Sequence, residues 1–187
     1  MRIARFTTGD EPSYGVLSGE LDDFGQPEED AVLVALAGDP MYVGLKLLEE
    51  EHRLADVRLL APVLPRSKVV GIGRNYAAHA AELGNDVPTE PLMFLKPNTS
   101  VAGPGDPIFY PLQTQNLHYE GELAVVIGRI CRDVPPEQAT DVIYGYTSSG
   151  SRYRTGFERS SDHIRSVDFY YHFVGNRYIG SRSRSEI

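Results

Sequence analysis

The segment Leu117-His118-Tyr119-Glu120-Gly121-Glu122-Leu123-Ala124-Val125-Val126-Ile127-Gly128 concentrates side chains that could do chemistry. Its β-branched end, the turn formers before it and the glycine after it predict a strand. Side chains alternate along a strand, so His118, Glu120 and Glu122 fall on one face. The two glutamates then stand roughly 7 Å apart, two residues at about 3.4 Å each. Adjacent carboxylates repel unless a positive charge lies between them, and a hard divalent cation with oxygen ligands supplies one. The competing expectation is a solvated edge-strand face, which a Glu-x-Glu pair forms just as readily.

A second candidate lies in Arg74-Asn75-Tyr76-Ala77-Ala78-His79-Ala80-Ala81-Glu82-Leu83-Gly84-Asn85. Asn75 as N-cap, a run of alanines and Gly84 just past the end predict a helix. His79 and Glu82 would stand at i and i+3, within reach of each other. An imidazole held by a carboxylate is a general base with a set tautomer. The same spacing also describes a surface pair worth a few tenths of a kcal/mol. Arg74 and Lys96 flank this region as cations able to bind a substrate carboxylate, although either could be a solvated charge. Asn75 and Ser100 complete the candidate substrate-binding set.

Several elements must position these groups. Arg2 to Phe6 and Tyr14 to Leu17 are strand-like and joined by Gly9-Asp10-Glu11-Pro12, a turn signal. Residues 43–55 (Val43 through Ala55) read as a short helix charged on one side. Ala61-Pro62-Val63-Leu64-Pro65 is a proline-bracketed connector, which divides a small unit at residues 1–60 from the rest of the chain. Lys68 to Gly73 is a strand ending in glycines, Gly103-Pro104-Gly105-Asp106-Pro107 is a tight turn, and Val134-Pro135-Pro136-Glu137 begins a short helix through Val142.

The 187 residues suit one domain with a small appendage, and a formal net charge of −8 argues against nucleic acid or an anionic membrane surface as a partner. The single cysteine, Cys131, excludes an internal disulfide and suits a reducing compartment. No apolar run has signal-peptide or transmembrane character, so a cytoplasmic protein is the default expectation. Composition changes at Ser148. The last forty residues hold nine Ser and seven Arg but no Leu, Ala or Lys. Of the 26 acidic residues 22 precede Ser148, against 11 of the 18 basic ones. Within the tail, Phe169 to Val174 could be a strand.

Other chemistries lack support. Gly71-x-Gly73 is not a dinucleotide fingerprint, because Tyr76 stands where the third glycine belongs. One Cys and five scattered His do not make a zinc site, and no nucleophile elbow is present.

Five motifs occur together and in order. They are Gly71-Ile72-Gly73-Arg74-Asn75-Tyr76-x-x-His79-x-x-Glu82, Met93-Phe94-Leu95-Lys96-Pro97, Gly103-Pro104-Gly105-Asp106-Pro107-Ile108, His118-Tyr119-Glu120-Gly121-Glu122-Leu123 and Gly145-Tyr146-Thr147. In this the chain closely resembles the fumarylacetoacetate hydrolase family over residues 66–147. The first sixty residues look like the small domain of some bacterial members.

The resemblance implies an α+β fold, a mixed β-roll, incomplete here, with a small N-terminal β-rich domain, and a homodimer. It implies that Glu120 and Glu122 bind Mg²⁺ or Mn²⁺ and that His79, with Glu82, deprotonates water or another donor. The implied substrate is a 2-oxo or 2-hydroxy-enol (di)carboxylic acid, as in catabolism of aromatic compounds. The cation would stabilise the enolate shared by hydrolysis, isomerisation and decarboxylation. The family's third carboxylate comes after the Gly-Tyr-Thr segment in a Thr-x-x-Asn-Asp pattern, whose last two positions here are Gly150 and Ser151. The third ligand is therefore missing. Some members also use a downstream lysine, which residues 148–187 do not contain. One hypothesis is that residues 148–187 come from a shifted reading frame. It fails if no other frame of the coding DNA yields Asn-Asp just after Thr147. The alternative function is an inactive homologue that serves at most as a dimerising or interaction module.

Overall fold

Apolar alternation in the first sixty residues builds a five-stranded antiparallel sheet in the order β4-β3-β2-β1-β5. Its strands are β1 (Ile3–Thr7), β2 (Ser13–Ser18), β3 (Val32–Leu36), β4 (Leu47–Arg53) and β5 (Arg58–Leu60). The computed structural model describes residues 1–9, 11–20, 22, 27–28, 30–76, 84, 86, 88–107, 109, 117–154 and 167–168. At 117–120, 151–154 and 167–168 it describes the backbone alone.

One face of the sheet carries the core. Phe6 and Leu33 are fully buried beside Ala4, with Leu17, Leu54, Val57 and Leu59 packed against them. Burying Phe6 or Leu33 contributes about 1.5–3 kcal/mol each. Gly15 keeps the sheet open to Phe6, because a Cβ there would meet the ring at 3.1 Å. The other face meets helix α1 (Pro40–Val43), whose first turn is capped by Asp39 accepting from the Met41 N–H at 2.9 Å.

The remainder consists of paired strands. Strands β6 (Lys68–Gly73) and β7 (Leu92–Pro97) are antiparallel, with Gly71 opposite Phe94 and Val69 opposite Lys96. A 3₁₀ turn at Asn98–Ser100 leads into β8 (Val101–Ala102). Strands β9 (Leu117–Ile127) and β10 (Ile143–Arg154) form the longest ladder. Strand β11 (Val167–Asp168) lies parallel to β8, so the pairing is mixed. The result is an α+β fold dominated by sheet.

The turn at residues 103–106 ties the two parts together. Asp106 accepts from the Gly103 N–H at 2.7 Å and pairs with Arg58 of β5 at 3.3 Å. Gly103 also has no room for a Cβ, which would stand 2.9 Å from the Ala61 nitrogen. Among the described residues, no helix is long and apolar enough to cross a membrane.

Several expectations are corrected. Residues 43–55 are not a helix: α1 ends at Val43 and strand β4 covers Leu47–Arg53. Pairing with β3 decides this, since Leu47 lies opposite Leu36 and His52 opposite Leu33. The His52 ring also packs on Phe6 with centroids 5.1 Å apart. Tertiary pairing here overrides the helix propensity of a Leu- and Glu-rich segment. The helix expected through Val142 is a 3₁₀ segment, Pro136–Asp141. Strand β10 runs in register across the composition change at Ser148, from Thr147 to Arg154. The strand expected at Phe169 to Val174 lies outside the described residues.

Candidate active site

The two carboxylate positions sit on the β9–β10 ladder, and register decides what faces them. Glu122 is half-buried and lies opposite Ser149, a serine only 6% exposed. Glu120 lies opposite Ser151, and Gly121 between them lies opposite Gly150. Strand alternation puts positions 120 and 122 on one face, as their spacing implies. Directly opposed positions on an antiparallel pair have Cβ atoms about 4.5–5.5 Å apart. Position 151 is therefore the cross-strand neighbour of position 120, and the residue there is serine.

The described ladder positions alone fall short of the donor set that holds Mg²⁺ or Mn²⁺ tightly. A small hard dication needs near-octahedral oxygen ligation and charge compensation. Along this ladder positions 120 and 122 are glutamates and their partners at 151 and 149 are serines, so the paired positions supply two anions. Among the described residues, no three His, Cys, Asp or Glu side chains are grouped so as to hold a metal ion.

The substrate-binding candidates divide into two places. Lys96 and Ser100 are both 6% exposed, at the end of β7 and in the 3₁₀ turn after it. The Ser100 hydroxyl donates to the Pro97 carbonyl at 2.6 Å, which anchors that turn. The Lys96 ammonium stands 5.6 Å from the centroid of the Phe94 ring. Arg74 and Asn75 are exposed and come directly after Gly73, which pairs with Leu92 at the start of β7. They thus leave the ladder at the end away from Lys96, roughly 13 Å along it at about 3.4 Å per residue. Arg74 adopts φ 54°, a left-handed turn conformation that ends β6. His79 and Glu82 lie outside the described residues.

Sequence reasoning missed what the glycines of Gly71-x-Gly73 do. Both are in extended strand, and each faces a large side chain of β7. A Cβ on Gly71 would clash with the Phe94 ring, and one on Gly73 would stand 3.2 Å from Leu92. A strand glycine paired with an aromatic segment was the available signal.

A further polar pair, Tyr14 and Asp39, was also missed. The Tyr14 hydroxyl donates to Asp39 at 3.1 Å. Burial, and then the Asp39 charge and hydrogen bond, push the phenol up to about 12. This pair lines a cleft between the N-terminal sheet and the β9–β10 ladder, with Arg5, Tyr42, Val126 and Tyr146. Of the described candidate side chains, Arg74, Asn75, Lys96, Ser100 and Glu122, none lines it.

Comparison with known proteins gives a consistent assignment. Residues 68–149 match the model of the fumarylacetoacetate (FAA) hydrolase C-terminal domain, and residues 1–62 match the Rv2993c-like N-terminal model. Protein Rv2993c of Mycobacterium tuberculosis is 46% identical over 147 residues, covering 79% of this chain and 53% of that protein. The structure of a 5-carboxymethyl-2-hydroxymuconate delta-isomerase from Mycobacterium smegmatis superposes with a TM-score of 0.69 at 40% identity, over 82% of this chain and 56% of that one. A maleylpyruvate hydrolase from Sphingobium, solved with manganese(II) and pyruvate, gives 0.57 at 27% identity over 84% and 60% of the two chains. The chain thus spans about half the length of Rv2993c.

Proposed function

This chain belongs to the fumarylacetoacetate hydrolase family, and from that premise we propose that it is a homologue with a broken metal centre, catalytically inactive as it stands, serving at most as a dimerising or interaction module. One observation carries the proposal: Ser151 is the ladder partner of Glu120, where the resemblance implies a third carboxylate. Exposed apolar surface supports the interaction role. Val70 and Ile72 lie opposite Leu95 and Met93 across the β6–β7 ladder. All four are exposed, at 54%, 37%, 53% and 68%. Contiguous apolar patches of this kind mark surfaces that meet a partner, and a second copy is the partner that the resemblance implies.

The second reading is a divalent-metal-dependent hydrolase, isomerase or decarboxylase acting on 2-oxo or 2-hydroxy-enol (di)carboxylic acids in the cytoplasm. The retention of both strand glutamates and the burial of Lys96 favour it. In it Lys96, Arg74, Asn75 and Ser100 bind and orient the acid, and His79, backed by Glu82, moves the proton. Glu120 and Glu122 are the metal positions, with Mg²⁺ or Mn²⁺ as the candidate ions.

The two readings separate in a turnover assay. The purified chain is given excess Mn²⁺ and either oxaloacetate or an acylpyruvate. The inactive reading predicts a rate equal to that of Mn²⁺ alone. A rate above that blank, lost in His79→Ala, would establish the enzyme.

A further inference from the structure

We infer that Phe94, seated on Gly71, is a positioning residue for the Lys96 ammonium. Phe94 and Lys96 are two residues apart on β7 and so share a face of the ladder. On that face the ladder partner of Phe94 is Gly71, and the ring fills the space a Cβ would need. Gly73 gives Leu92 similar room. Gly71 and Gly73 do not have positive φ and do not form a phosphate-cradling turn. They strip β6 of side chains so that those of β7 can lie across it.

The consequence falls on Lys96. Its side chain is almost withdrawn from water, at 6% exposure. The Phe94 ring stands within cation–π range, 5.6 Å from centroid to Nζ. A ring beside a flexible four-carbon stem also removes rotamers that would swing the charge away. The role of Lys96 as a carboxylate anchor rests on the second reading above. The placement of its ammonium by Phe94 does not.

Fluorination tests the inference, because it drains the ring face while nearly keeping its shape. The chain is made with mono-, di- and pentafluorophenylalanine at position 94. Acylation of Lys96 by a water-soluble ester is tracked by peptide mass spectrometry, with exposed Lys46 and Lys68 as internal references. As the ring holds the side chain less well, the amine swings outward and reacts more. The expected result is a stepwise rise of about two- to five-fold at Lys96 alone, equivalent to about 0.5–1 kcal/mol. Gly71→Ala, which pushes an unaltered Phe94 off β6, gives a rise in the same direction. A Lys96 rate that stays flat across the fluorinated series overturns the inference.

Discussion

Ser151 stands directly across the ladder from Glu120. A carboxylate at 151 would bring a third anion beside the two on β9, at the about 4.5–5.5 Å spacing of opposed strand positions. Ser151→Asp is therefore expected to tighten Mn²⁺ binding at least about ten-fold over the unmodified chain. Calorimetric titration checks this, and adding Glu120→Ala should abolish the gain. Without metal the same variant should melt lower, because three neighbouring carboxylates repel.

Phe6 is the centre of the N-terminal core and supports the His52 ring. Phe6→Ala removes that packing and leaves a cavity. The expected loss is about 3–5 kcal/mol, read as a lower urea midpoint with an unchanged slope.

The contact between β5 and the turn at 103–106 has two parts of unequal weight. Asp106 accepts a half-buried backbone N–H at 2.7 Å, whereas its ion pair with Arg58 is largely solvated, with the arginine side chain 63% exposed. Asp106→Ala should cost about 1.5–3 kcal/mol and Arg58→Ala less than about 1 kcal/mol. Denaturation of the two variants side by side gives the ratio. Equal losses would mean that the ion pair, and not the turn, holds this contact.

Tyr14 makes the N-terminal sheet sensitive to alkali. Burial and Asp39 raise its phenol from 10.0 in the unfolded chain to about 12 in the fold. The folded state therefore holds the proton more tightly. The stability this contributes is complete below pH 10.0 and is lost as pH rises toward about 12. Thermal melts through that window should fall more steeply for the natural chain than for Tyr14→Phe, which has no proton to lose.

How far the sequence was legible depends on the kind of force at each place. The strand at Leu117 to Ile127 was readable because alternation and its flanking turns are local signals. The strand at Lys68 to Gly73 was equally so. The strand at Leu47 to Arg53 was not, because its Leu- and Glu-rich run favours helix until β3 pairs with it. Strand alternation placed Glu120 and Glu122 on adjacent same-face positions, and register supplied what spacing could not, namely the serines opposite them. Lys96 read as a cation able to bind a carboxylate or as a solvated charge, because charge alone does not reveal burial. The purpose of Gly71 was hidden for a related reason, since it depends on a partner more than twenty residues away.

The most direct test of a broken metal centre is calorimetry of Mg²⁺ and Mn²⁺ with the chain as it exists, against the Glu120→Ala/Glu122→Ala double variant. A broken centre gives no micromolar isotherm and no difference between the two proteins. Micromolar binding by the natural chain that disappears in the double variant would contradict it and restore the metal-dependent enzyme as the better reading.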